Sequence, residues 1–153
     1  MLKIGVLASG NGSNLQAIID NIGNGSLKGA EIVAVISDKA EAFALERAKK
    51  HNIFNVYINP KEFGTREDFD KEIIKFLKEK QVDLVVLAGY MKILTKDFVN
   101  AFQGKIINIH PSLIPAFCGK GYYGLKVHEE VLKRGVKITG ATVHYVTEGA
   151  DEG

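Results

Sequence analysis

The chain has 153 residues, 46% hydrophobic and 25% charged, with a formal net charge of +2; this is the length of one domain, with enough apolar residues to bury a core. The one cysteine, Cys118, allows neither an internal disulfide nor a cysteine-based metal cluster. No basic run marks a nucleic-acid tail, no apolar run reaches the roughly 18 residues that span a bilayer, and MLKIGVLASGNGSN has too short an apolar part for a signal peptide. The expectation is a soluble, cytoplasmic domain over residues 1–153 with no membrane or nucleic-acid partner.

Taken in chain order, short Val- and Ile-rich runs alternate with amphipathic stretches. Residues 3–9 (KIGVLAS) read as a strand buried on both faces. The loop SGNGSN, Ser9 to Asn14, then opens a helix whose Leu15, Ile18, Ile19 and Ile22 fall at helical spacing. Gly10 and Gly12 permit positive φ and close backbone approach, and the free N–H groups at the helix start favour an anion. Two readings stand: a phosphate cradle, or a tight turn with Ser13 or Asn14 as N-cap. The dinucleotide fingerprint G-x-G-x-x-G is incomplete, because Leu15 takes the third glycine's place.

A second strand is predicted over residues 31–37, followed by Asp38, an acid that could meet a ribose, and a helix over 40–50. A third helix follows Thr65, with Phe69, Ile73, Ile74 and Leu77 on one face and Asp68 at capping-box spacing. Strands are predicted at 82–88 and 105–110, and a late strand, antiparallel in one reading, at 136–146. The alternation predicts an α/β domain with a mostly parallel sheet.

Within INIHPSLIPAF, Asn108 and His110 lie two apart on a strand and share a face at its carboxyl end, where open α/β sheets bind ligands. Asn can aim a donor at a carbonyl oxygen, and His can hold or pass a proton near neutral pH. The pair suits acyl transfer, in which an oxyanion develops and an amine loses a proton. It equally suits two buried polar groups satisfied without catalysis. Of the other histidines, His51 and His128 read as surface residues and His144 as structural. No His, Asp or Glu cluster has zinc spacing, and no G-x-S-x-G is present.

Together, SGNGSNLQAII, VVLAGYMKIL, IINIHPSLIPAF and TGATVHYVTEGADEG resemble, in order and over essentially the whole chain, the phosphoribosylglycinamide formyltransferases of the folate-dependent formyltransferase superfamily. The resemblance implies a Rossmann-like formyltransferase fold: a mostly parallel central sheet flanked by helices, with a late antiparallel strand. Family chains continue with a strand and a long helix, so these are expected to be missing here.

The implied activity is formyl transfer from 10-formyltetrahydrofolate, a cosubstrate, to glycinamide ribonucleotide, with no metal. By the same resemblance Gly12, Ser13 and Asn14 hold the substrate phosphate. Arg66 and the segment Met91, Lys92, Ile93 and Leu94 line the folate site, which Asn108 also meets. Lys92 stands where the family often has Arg, which weakens the case for a bidentate carboxylate contact. Asn108, His110 and Asp151 form the implied catalytic trio, and residues 146–151 wrap the pterin ring. A methionyl-tRNA formyltransferase, a formyltetrahydrofolate hydrolase and a nucleotide-binding regulatory module remain as alternatives. The oligomeric state is left open, a homodimer included.

Overall fold

The computed structural model describes residues 1–110 and 142–147. The order is β1 (Leu2–Ala8), α1 (Ser13–Gly23), β2 (Ala30–Ser37), α2 (Phe43–Lys50), β3 (Asn55–Tyr57), a 3-10 turn (Pro60–Glu62), α3 (Arg66–Glu79), β4 (Leu84–Leu87), α4 (Lys96–Ala101), β5 (Ile106–His110) and β6 (Thr142–Tyr145). Among the described residues these strands form one sheet in the order β3-β2-β1-β4-β5-β6. Neighbours pair in parallel from β3 to β5, and β6 runs antiparallel to β5.

Each face of the sheet has its own core. On one, Leu7, Ile36, Val85, Leu87 and Ile106 pack against Phe69, Ile73 and Leu77 of α3 and against Phe98 and Val99 of α4. On the other, Ile4, Val6, Ala8, Val35 and Val86 pack against Leu15 of α1 and against Ala44, Leu45 and Ala48 of α2. Burial on both faces is why β1, β2 and β4 read as unbroken apolar runs instead of alternating ones.

The strand order places a topological switch between β1 and β4. From β1 the chain moves outward to β2 and β3, then returns to the other side of β1 as β4. Loops leaving the carboxyl ends of β1 and β4 therefore diverge to opposite faces and leave a crevice between them.

Most predicted elements form, with shifted bounds. The second helix begins at Phe43, because Ala42 holds an extended backbone with ψ 122°. In α3 the Thr65 hydroxyl accepts from the Asp68 N–H at 3.1 Å. Only this half of the capping box forms; an Asp side chain is one methylene shorter than the usual Glu. The late strand is antiparallel and occupies residues 142–145 of the predicted span, whose residues 136–141 lie outside the described ones. Among the described residues no helix is long and apolar enough to cross a membrane.

Candidate active site

Gly12 is the N-cap of α1, in the left-handed conformation at φ 77°, and it supplies no side chain to the helix. This corrects the expectation that Ser13 or Asn14 caps. The first intrahelical bond runs from the Gln16 N–H to the Gly12 carbonyl at 2.9 Å, and the N–H groups of Ser13, Asn14 and Leu15 have no acceptor among the described residues. Three donors at the positive end of an 11-residue helix with no acidic residue in its first turn make an electropositive concavity.

Gly12 carries a second constraint that its sequence pattern hides. A Cβ there would meet the Cα and Cβ of Ala44 at 2.8 Å, so α2 packs directly onto the loop. Gly10 has nothing within 4 Å of such an atom and does not adopt positive φ. Of the two glycines, only Gly12 uses the freedom attributed to both. Leu15, at the position of the missing third glycine, is fully buried.

Asp38 is not available to a ribose. It is buried and accepts the Ser9 hydroxyl at 2.6 Å, while the Ser9 Oγ in turn accepts the Met91 N–H at 2.8 Å. The Ser9 N–H also reaches the Gly89 carbonyl at 3.2 Å. Ser9 thus joins the carboxyl ends of β1 and β2 to the segment leaving β4.

That segment forms one wall of a cavity of about 510 Å3. Met91, Lys92 and Ile93 face it from one side, and Phe63, Thr65, Arg66 and Asp70 from the other. Arg66, the first residue of α3, donates to the Ile93 carbonyl at 3.1 Å and so ties the walls together. The Lys92 ammonium lies 5.6 Å from the centre of the Phe69 ring. Leu94 differs from its neighbours: its side chain is buried in the core beneath, not in the cavity lining.

Asp70, at the cavity floor, accepts both the N–H and the hydroxyl of Thr95, at 2.8 and 2.7 Å. Burial raises its pKa above the ordinary 3.8, against the lowering effect of these bonds and of Arg66. Tyr90, just before Met91, has a buried hydroxyl with no hydrogen-bond partner among the described residues. Burial first, then the carboxylates of Asp38 and Asp70, push its pKa far up and keep the phenol neutral.

Asn108 pairs in register with Leu87 on β4 and with His144 on β6. Through Leu87 it shares the sheet face covered by α3 and α4, while Ile107 and Ile109 pack on the opposite face. The Asn108 Nδ2 lies 3.3 Å from the His144 Nε2, and the His144 Nδ1 lies 3.1 Å from the Tyr145 carbonyl. A carbonyl can only accept, so Nδ1 carries a proton, and a neutral ring then presents Nε2 as an acceptor to the amide N–H. One amide proton is thereby held on His144, which fixes the plane of the amide and leaves its second N–H to be directed elsewhere.

The sequence assigned His144 a structural role and missed this contact; the cross-strand register supplies it, and no spacing rule could. His51, read as a surface residue, is exposed at the end of α2. His110 ends β5 and pairs in register with Thr142. Asp151, His128, Cys118 and most of the stretch 146–151 lie outside the described residues. Among the described residues no group of three or more His, Cys, Asp or Glu could hold a metal ion.

The glycine loop, the Met91–Ile93 wall and the end of β5 therefore all lie at the carboxyl end of the sheet. The loop opens on the α1–α2 side, and Asn108 stands on the α3–α4 side.

Comparison with known proteins gives this geometry a context. A model of the formyl transferase family matches residues 2–153. The phosphoribosylglycinamide formyltransferase of Haemophilus influenzae is 46% identical over 153 residues, covering 100% of this chain and 69% of that protein. The trifunctional purine biosynthetic protein adenosine-3 of Drosophila pseudoobscura pseudoobscura is 48% identical over 99% of this chain, which spans only 11% of that protein's length. Among solved structures, glycinamide ribonucleotide transformylase 1 from Symbiobacterium toebii superposes with a TM-score of 0.92 at 44% identity, covering 100% of this chain and 69% of that one.

Proposed function

The chain belongs to the formyl transferase family, and from that premise we propose that it transfers a formyl group from 10-formyltetrahydrofolate to the amine of 5-phosphoribosylglycinamide, a step of purine biosynthesis in the cytoplasm. One observation carries the choice of acceptor. A helix start whose first three N–H groups have no acceptor among the described residues lies at the same carboxyl end of the sheet as an oriented amide, Asn108. Transfer to water would need the amide but no anion cradle, and a regulatory nucleotide module would need the cradle but no amide.

The backbone of Gly12, Ser13 and Asn14 binds the ribonucleotide's phosphate, with their N–H groups as donors. The cavity between Arg66 and Met91–Ile93 takes the folate, with the Arg66 guanidinium and the Lys92 ammonium as its cationic groups. Lys92 offers a point charge where a guanidinium would offer a fork, so its contact to a carboxylate is monodentate.

The ribonucleotide's amine attacks the formyl carbon and negative charge gathers on the formyl oxygen. The second N–H of Asn108 donates to that oxygen as the charge develops. A protonated His110 stabilises the same charge, and Asp151 favours the charged imidazole. The C–N bond to the folate then breaks, and the proton lost by the amine reaches the leaving nitrogen through water. The folate supplies the activated one-carbon unit, so the chemistry calls for no metal.

The test is deformylation of 10-formyltetrahydrofolate by the full-length protein with and without the ribonucleotide. Turnover strictly dependent on the ribonucleotide, with formylated ribonucleotide as product, is expected. Comparable turnover in its absence would mean that water is the acceptor and would overturn the reading.

A further inference from the structure

We propose that Arg47 is a positioning residue for the ribonucleotide's phosphate: it turns the glycine loop so that its N–H groups converge, without touching the anion itself. This rests on the assignment of the loop as the phosphate site. Arg47 lies one turn into α2, half-buried. Its Nε donates to the Asn11 carbonyl at 2.8 Å, one terminal nitrogen donates to the Asn11 Oδ1 at 2.7 Å, and the other to the Gln16 Oε1 at 3.2 Å. Its Cζ lies 4.7 Å from the centre of the Phe43 ring, so the guanidinium plane is held on both its edge and its face.

The consequence follows from peptide geometry. In a trans peptide the C=O and the N–H of one unit point in opposite directions. Arg47 draws the Asn11 carbonyl toward α2, so the Gly12 N–H is turned away from α2. One residue earlier the Ala44 N–H holds the Gly10 carbonyl at 3.1 Å, which turns the Asn11 N–H the same way. Neither of these two N–H groups has an acceptor among the described residues. They extend the row formed by Ser13, Asn14 and Leu15, and Gly12 in the left-handed region followed by a helical residue curves that row into a concave nest. Arg47 also brings a positive charge to the loop's outer side, with no carboxylate among its hydrogen-bond partners in the described residues.

Arg47→Met keeps an unbranched apolar side chain and removes all three bonds; Arg47→Lys keeps the charge and loses the fork. In both, KM for the ribonucleotide should rise at least about tenfold, with kcat and the folate's KM within about twofold. Inorganic phosphate, tested as a competitive inhibitor against the ribonucleotide, should weaken in parallel. An equal rise in both KM values, or a fall in kcat with phosphate inhibition unchanged, would show Arg47 to be a general structural residue and overturn the proposal. Arg47→Lys matching the parent would do the same for the fork. If phosphate fails to compete in the parent, the loop is not the phosphate site, and the underlying assignment falls rather than the role of Arg47 alone.

Discussion

Gly12→Ala is the substitution whose cost can be worked most directly from the structure. Gly12 sits at φ 77°, where a non-glycine residue costs about 1–2 kcal/mol. The added Cβ would lie 2.8 Å from both the Cα and the Cβ of Ala44, and relief requires α2 to move, because neither atom belongs to a flexible side chain. Overpacking of this kind costs a further ~1–3 kcal/mol. The sum, about 2–5 kcal/mol, is a large share of the roughly 5–15 kcal/mol that holds an ordinary domain together. At this chain length it corresponds to a fall in Tm of roughly 4–20 °C. Gly10→Ala is the control: it meets nothing within 4 Å and its φ is not positive, so its Tm should stay within about 2 °C of the parent. Thermal and urea melts of the two variants side by side decide the matter. A Gly12→Ala protein as stable as Gly10→Ala would show that α2 yields freely to the added methyl and would refute the packing argument. The same numbers change how Gly12 variants are read kinetically, since a loss of ribonucleotide affinity would follow from a displaced loop as readily as from a blocked anion.

Asp70→Asn should keep an acceptor for the Thr95 N–H and hydroxyl while removing a buried charge. The parent's carboxyl is shifted up by burial, so its folded state favours the proton; that contribution to stability is full below 3.8 and is lost as pH rises through the folded-state value. The variant's urea midpoint should lack this decline and should equal or exceed the parent's at neutral pH; a parallel pH profile in both proteins would refute the burial argument. Tyr90→Phe removes a buried hydroxyl that has no partner among the described residues and should raise stability by about 1 kcal/mol, read as a higher Tm. A lower Tm would mean that the hydroxyl is satisfied in solution, by water or by a neighbour.

The sequence revealed what depends on local pattern. Strands buried on both faces and helices with one apolar stripe announce themselves, so β1, β2, β4, β5, α1 and α3 were legible to within a few residues. The three-residue β3 and the six-residue α4 were not, because neither is long enough to show a period. The shared face of Asn108 with its strand neighbours followed from alternation alone.

What escaped is set by tertiary register. His144 reaches Asn108 because β6 pairs antiparallel to β5 with those two residues opposite, across 36 positions of sequence. Arg47 reaches Asn11 across 36 positions as well, through the packing of α2 on the loop. Asp38 looked like a ribose ligand because an acid after the second strand fits that pattern; its burial against Ser9, 29 positions away, is a tertiary contact that no local pattern announces. Leu94 belonged to a contiguous motif, yet the chain turns inward there and sends that side chain to the core.

The central claim is that Asn108 acts on charge that develops only during transfer, and the kinetics of Asn108→Ala test it most directly. The bond to the formyl oxygen strengthens as the oxyanion forms, so its loss should appear in the chemical step. Single-turnover and steady-state assays should show kcat reduced on the order of 10²–10³-fold, with both KM values within about threefold of the parent. A loss confined to KM, with kcat preserved, would contradict the account and reduce Asn108 to a residue that merely places the substrate.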